Sequence, residues 1–243
     1  MFRRLAVVVG VLVCFAAVAG AQTADDIVGK TIAAQGLAKL KPVQSLRVTG
    51  TMIITPPNMA AVEGAIIIEV KRPAKTRMTL TIMGMENAQG YDGQNGWSLM
   101  PIQGKAAAEP ATPDELKDLE EQADMDGTLV DYKTKGHKVE LIGKDSVQGT
   151  GAYKLKVTLK NGDVQFQYID TEHFLPIKME SSRVINGAET NTETFVGDYK
   201  DVNGVLMPHS IEARVMGVVQ KVIVTKVEMN VPLDDARFKM PGK

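Results

Sequence analysis

From Val43 onward the apolar residues of this chain fall on every second position, in one run after another. Leu46, Val48, Met52 and Ile54 share one side of the first run, with Arg47, Thr49 and Thr51 on the other. Val62, Ile66, Ile68 and Val70 repeat the pattern against Glu63, Glu69 and Lys71. Met78, Leu80 and Ile82 then alternate with Arg77, Thr79 and Thr81. Successive side chains of a strand point to opposite faces. This period therefore predicts antiparallel strands with one face in apolar surroundings and the other in water. It returns at Val139 and Leu141, at Tyr153, Leu155, Val157 and Leu159, and at Val164, Phe166 and Tyr168. Further runs follow at 174–182, 190–199, 207–215 and 218–229. Asn161-Gly162, Asn186-Gly187, Asn203-Gly204 and Gly217 punctuate them, and Asn161-Gly162 reads as a two-residue hairpin turn with positive φ at both positions. About ten short strands without a repeat period predict a mainly β chain. The expected architecture is one large curved antiparallel sheet, an unclosed half-barrel, with a two-sheet sandwich as the competing arrangement.

Two segments change period. In residues 24–40, Ile27, Val28, Ile32 and Leu37 have helical spacing, with Thr23 or Asp25 as the cap. In residues 113–125, Leu116, Leu119 and Ala123 form one stripe of an acidic helix. Thr112, Pro113 and Glu115 mark its start: a cap, a first-turn proline and a reciprocal carboxylate. Two or three helices of this kind would cover the concave face of the sheet. The second lies on a long connection, 101–136, that suits either a mobile lid or a docked connector.

The chain opens with two arginines, an apolar run from Leu5 to about Val18, and Ala19-Gly20-Ala21. That order predicts a signal peptide, residues 1–21, cut after Ala21, and hence export to the periplasm. The run is shorter than the ~20 residues of an uncleaved membrane anchor, the other reading. Residues 22–243 are expected to form a single domain. Cys14 is the only cysteine, so this exported chain would owe its stability to an ordinary core rather than to disulfides. Net charge is −1 with no basic stripe, which speaks against a nucleic-acid partner. His137, His173 and His209 share no motif, and no nucleophile motif, metal motif or phosphate loop is present. The sequence thus predicts no catalytic residues, no metal and no cofactor.

What it offers is apolar capacity. A curved sheet wetted on its convex side needs apolar cover on its concave side, and a hydrophobic cavity remains wherever helices leave that side unfilled. Met52, Ile54, Ile66, Ile68, Met78, Leu80, Trp97 and Leu99 are the candidate lining residues, with Leu116 and Leu119 on a covering helix. An ordinary packed core is the alternative. Within YDGQNGW, residues 91–97, turn chemistry runs straight into the only tryptophan. Trp97 either pins a hairpin to a core or faces such a cavity.

Several of these residues also carry a resemblance. Lys71-Arg72-Pro73 in VEGAIIIEVKRPAKTRMTL, then Asp92-Gly93, Trp97 and Pro101 in YDGQNGWSLMP, resemble in order and spacing the LolA/LolB-type periplasmic lipoprotein carriers. The tail LDDARFKMPGK resembles that family's closing strand. FVGDYKDVNGVLMPHSIE is similar to the broader group of outer membrane lipoprotein-sorting proteins. The resemblance spans most of residues 24–243. It implies an unclosed barrel lidded by helices over an apolar cavity for lipoprotein acyl chains or another lipid. The partners it implies are an inner-membrane transporter as donor and an outer-membrane acceptor. It implies also that an arginine at the strand end, here Arg72, holds the lid by hydrogen bonds to the helix segment. The alternatives are an envelope sensor of mislocalised lipoproteins and a structural envelope protein with a filled core.

Overall fold

A computed structural model describes residues 22–185 and 188–242. The segment read as a signal peptide and the Asn186-Gly187 turn lie outside the described residues. Helix α1, Ala24–Gln35, starts where Thr23 accepts from the Asp26 amide while the Asp26 carboxylate accepts from the Thr23 amide. It stops at Gly36, whose φ of 68° is left-handed, and a short 3-10 helix follows at Leu37–Leu40.

Thirteen strands follow among the described residues. The first six are β1 (Ser45–Thr55), β2 (Val62–Lys71), β3 (Lys75–Ile82), β4 (Met85–Tyr91), β5 (Gly96–Met100) and β6 (Lys105–Pro110). Helix α2, Pro113–Gln122, comes next. The remaining seven are β7 (Lys138–Val147), β8 (Thr150–Thr158), β9 (Val164–Asp170), β10 (Pro176–Ile185), β11 (Ala188–Val202), β12 (Val205–Val215) and β13 (Val218–Met229). They form one antiparallel sheet in the order β6-β5-β4-β3-β2-β1-β13-β12-β11-β10-β9-β8-β7. The two halves of the chain meet where β1 pairs with β13, and β6 and β7 are free edges. The sheet is not closed into a barrel, which is the half-barrel reading and not the sandwich.

Three strands exceed the sequence expectation: β4, β5 and β6. In β4 the inward positions are Asn87, Gln89 and Tyr91, and β6 is Lys-Ala-Ala-Ala-Glu-Pro. Neither shows apolar alternation, because Gln89 of β4 meets Gln122 of α2, Asn87 donates to the Leu80 carbonyl and accepts from the Ile102 amide, and β6 is an edge. At Asn161-Gly162 only Gly162 has positive φ, since the loop is closed by Leu159 and Asp163 rather than by a two-residue turn.

Both helices pack on one face. Ile27 and Val28 of α1 are buried against Tyr153, Leu155, Val157 and Ile169 of β8 and β9. Leu40 and Val43 pack on Leu46 and Val205. The opposite face of β1–β5 is covered by the end of the chain, a 3-10 helix at Asp235–Phe238. There the nearly fully buried Glu69 takes Arg47 and Arg237, and Lys71 and Lys75 hold the Asp235 carboxyl down at about 2.

Candidate functional site

The inward positions of β1–β3 and β12–β13 build an apolar groove. Register sets Ile66 across from Leu80, Ile68 across from Met78, and Ile211 across from Val222. Met52, Ile66, Val222 and Val224 are buried at its centre, while Val48, Ile54, Ile68, Met78, Leu80, Ile211 and Val227 around them are half-buried. A bulge between Thr49 and Gly50 turns β1 at this point. There a Cβ on Gly50 would stand 2.3 Å from the Ile223 carbonyl oxygen, so only glycine fits the bend.

Six of the eight candidate lining residues therefore share one face: Met52, Ile54, Ile66, Ile68, Met78 and Leu80. Trp97 and Leu99 do not. Trp97 pairs with Gly90, Gly90 with Arg77, and Arg77 with Glu69, a row on the other side of the sheet. The indole is 1% exposed, donates from Nε1 to the Phe238 carbonyl at 2.7 Å, and lies 5.6 Å from the Arg77 guanidinium. Leu99, across from Ala88, faces the same way. The turn at 92–95 fixes this phase: the Asp92 carboxylate accepts from the amides of Gln94 and Asn95, and β5 begins at Gly96. The expectation that Trp97 looks into the groove is thus corrected; it pins the hairpin to a separate core on the convex side.

Over the groove lies α2. Thr112 and Glu115 form the capping box, and Leu116, Leu119 and Ala123 pack on Tyr91, Ala74 and Ala111. A Cβ on Gly96 would meet both leucines, so the helix seats directly on β5. From its opposite side Asp118 and Glu121 pair with Arg183 of β10, and Glu121 accepts from Gln165 of β9. Strands β4 and β10 are seven steps apart in the sheet order. In a flat sheet they would be roughly 34 Å apart at ~4.8 Å per step, yet one helix, about 10–12 Å wide, touches both sides. The sheet must curl, and α2 straps its two flanks together.

At the other end of the groove Arg72 gathers the covering segments. Its Nε donates to the Val43 carbonyl at 2.8 Å and Nη2 to the Leu40 carbonyl at 3.1 Å. Nη1 and Nη2 reach both oxygens of Asp126 at 2.7 and 2.6 Å. The two-pronged contact with Arg72 holds the Asp126 carboxyl below its ordinary range against the cost of burial. One side chain thereby ties β2 to the segment after α1 and to the segment after α2. A cavity of about 300 Å³ lies just inside, lined among others by Leu37, Leu40, Met125, Gln167, Val205 and Met207.

Sequence reasoning missed Asp126, Arg183 and Phe238. For Arg183 a signal existed: the inward positions of β10 are Met179, Ser181 and Arg183 rather than an apolar run. The histidines lie apart. His137 accepts from the Lys160 amide, His173 pairs with Asp170 at 2.8 Å, and His209 is buried beside the Met207 carbonyl. No group of His, Cys, Asp and Glu able to hold a metal occurs among the described residues. No helix among them is long and apolar enough to cross a membrane.

No family model and no curated protein sequence matches this chain. Among solved structures, it is similar to a LolA superfamily protein from Nitrosomonas europaea. The TM-score is 0.62 and the identity 16%, over 90% of this chain and 98% of that one. It is also similar to a putative outer membrane lipoprotein-sorting protein domain from Vibrio parahaemolyticus, at a TM-score of 0.58 and 11% identity, over 88% and 94% of the two chains. With its open sheet of thirteen strands among the described residues and a concave face strapped by α2, the chain shares the fold of these LolA-type structures.

Proposed function

We propose that this protein is a non-enzymatic periplasmic carrier. It would hold the acyl chains of lipoproteins, or another lipid, in the groove and pass them from an inner-membrane donor to an outer-membrane acceptor. The observation that carries the reading is the ring of half-buried apolar side chains under a helix that bridges both flanks of the sheet. A filled core would bury them; here Ile54, Ile68, Met78 and Leu80 keep exposed surface on a concave wall. Each methylene laid there gains ~0.8 kcal/mol, so an acyl chain binds without a charged contact. The shared fold and the signal-peptide-like order of residues 1–21 support an envelope location. Arg72 is the clamp: with its bonds made, the segments at 40–43 and 126 stay down, and release requires that they part.

Native mass spectrometry of the protein purified from the periplasm without detergent tests this. Acyl species at near one per chain are expected, and lipid extraction then names the cargo class. A clean apo mass together with no uptake of added fatty acid would leave a structural envelope protein.

A further inference from the structure

The groove is almost free of charge, and the exception is informative. Its walls are the inward positions of 48–54, 62–70, 76–82, 165–169, 179–183, 190–196 and 211–227. Among the described residues there, Arg183 is the one ionised side chain. It sits on the wall facing the apolar one, where its inward neighbours are Ser181, Thr190, Thr192 and Gln165 rather than aliphatic residues. The groove is therefore two-sided: an apolar wall on β1–β3, β12 and β13, and a hydroxyl and amide wall with one guanidinium on β9–β11.

Helix α2 has no need of that guanidinium to stay docked. Leu116, Leu119 and Ala123 already bury its apolar stripe on the other flank. A half-buried arginine must shed water, and a well-packed apolar residue would hold the strap at least as well. What Arg183 does have is the wrong number of partners for a plain ion pair. Asp118, Glu121 and, at 3.8 Å, Asp163 all face it, while its own Nε is buried without a hydrogen-bond partner among the described residues. Lys117 and Asp114 complete the rim of an adjoining cavity of about 430 Å³.

We propose that Arg183 receives the anionic head, carboxylate or phosphate, of an amphiphile whose chain lies on the apolar wall, and that Asp118 and Glu121 occupy its place when the groove is closed. This rests on the carrier reading and names the ligand class for that same groove. A guanidinium presents a planar fork that a carboxylate or a phosphate fills equally well, so the two helix carboxylates are surrogates of the right chemistry. When the head displaces them, α2 loses its bond to β10 and Gln165 Nε2, which donates to Glu121, becomes a second donor to the head. Binding and strap opening are then one exchange, in which Arg183 keeps an anionic partner throughout.

Isothermal titration of the mature protein with palmitate, lysophosphatidic acid, monopalmitoylglycerol and inorganic phosphate at pH 8 tests the assignment. Both anionic amphiphiles should bind at least tenfold tighter than the uncharged glycerol ester. Arg183→Leu should erase the difference while keeping the ester's affinity, Arg183→Lys should keep part of it, and Asp118→Asn with Glu121→Gln should tighten the anionic ligands alone. Equal affinity in the unaltered protein, or a preference that survives Arg183→Leu, overturns the proposal and leaves the carrier reading standing. Tight binding of inorganic phosphate alone overturns it too, as a chain-independent anion site. If no amphiphile binds at all, the carrier reading fails and this assignment with it.

Discussion

Arg72 gains its position because it is the first residue after β2, opening the β2–β3 turn, where a long side chain can fold back over the end of the groove. Truncating it to leucine would take the guanidinium donors from the Asp126 carboxylate and the Val43 carbonyl in half-buried surroundings, while the Leu40 carbonyl would keep only the Val43 amide. Hydrogen bonds to charged groups contribute about 1.5–3 kcal/mol each at most, and the loss of the set should destabilise the closed state by roughly 2–3 kcal/mol. Urea midpoints at pH 7 should fall accordingly, and a preloaded fatty acid should leave faster. The acid side has a definite sign. Asp126 titrates lower in the folded protein than in the unfolded chain, so its stabilisation is complete above the usual carboxylate range, near 4, and fades as pH falls through its depressed folded value. The gap between Arg72→Leu and the parent should therefore be undiminished at pH 5 and close only well below pH 4. A gap that has already closed by pH 5.5 would mean that the clamp is not made with Asp126.

Helix α2 is held on its two sides by different physics. Its β5 flank is apolar: Leu119 is 3% exposed between Tyr91 and Gly96, and Ala123 is 1% exposed. Its β10 flank is ionic, through Arg183. Leucine-to-alanine changes at such sites cost about 2–5 kcal/mol. Because α2 rests on the sheet rather than within it, the cost should fall on the strap first. In Leu119→Ala, amide exchange over 113–123 should accelerate tenfold or more while the exchange of β1, β2 and β13 stays as in the parent. If α2 and the central strands accelerate together, the helix is part of the global core and no independent strap exists.

At the scale of the molecule, the pairing of β1 with β13 makes one hydrogen-bonded sheet of residues that lie at opposite ends of the sequence. Trp97 reports on that whole and not on the groove, because it is sealed beneath Phe238 on the convex side. Far-ultraviolet circular dichroism and Trp97 fluorescence should therefore give a single coincident urea transition. Two separated midpoints would show that β1–β5 and β7–β12 unfold independently, and the sheet would then be a chain of weakly coupled halves. The free edges are blunted: β6 is short and ends in proline, and β7 carries Lys138, Lys144 and a bulge between Leu141 and Gly143.

By itself the sequence determined the period of most strands, both helices with their caps, and the set of aliphatic residues that must leave water together. Those properties are local: a capping box closes within four residues, and a period of two is visible in any run of six. It also placed Arg72 at a strand end, through the resemblance of Lys71-Arg72-Pro73 and its surroundings. Alternation says that a strand has two faces but not which of them becomes concave, and a turn of unexpected phase reverses every side chain beyond it. Only the tertiary structure therefore decided that Trp97 and Leu99 face away from Met78 and Leu80, because the end of the chain supplies a second apolar cover, about 140 residues downstream, for the opposite face. Only the curl of the sheet brings Asp118 and Glu121 to Arg183. The charges that meet there are more than sixty residues apart along the chain and are joined by geometry alone.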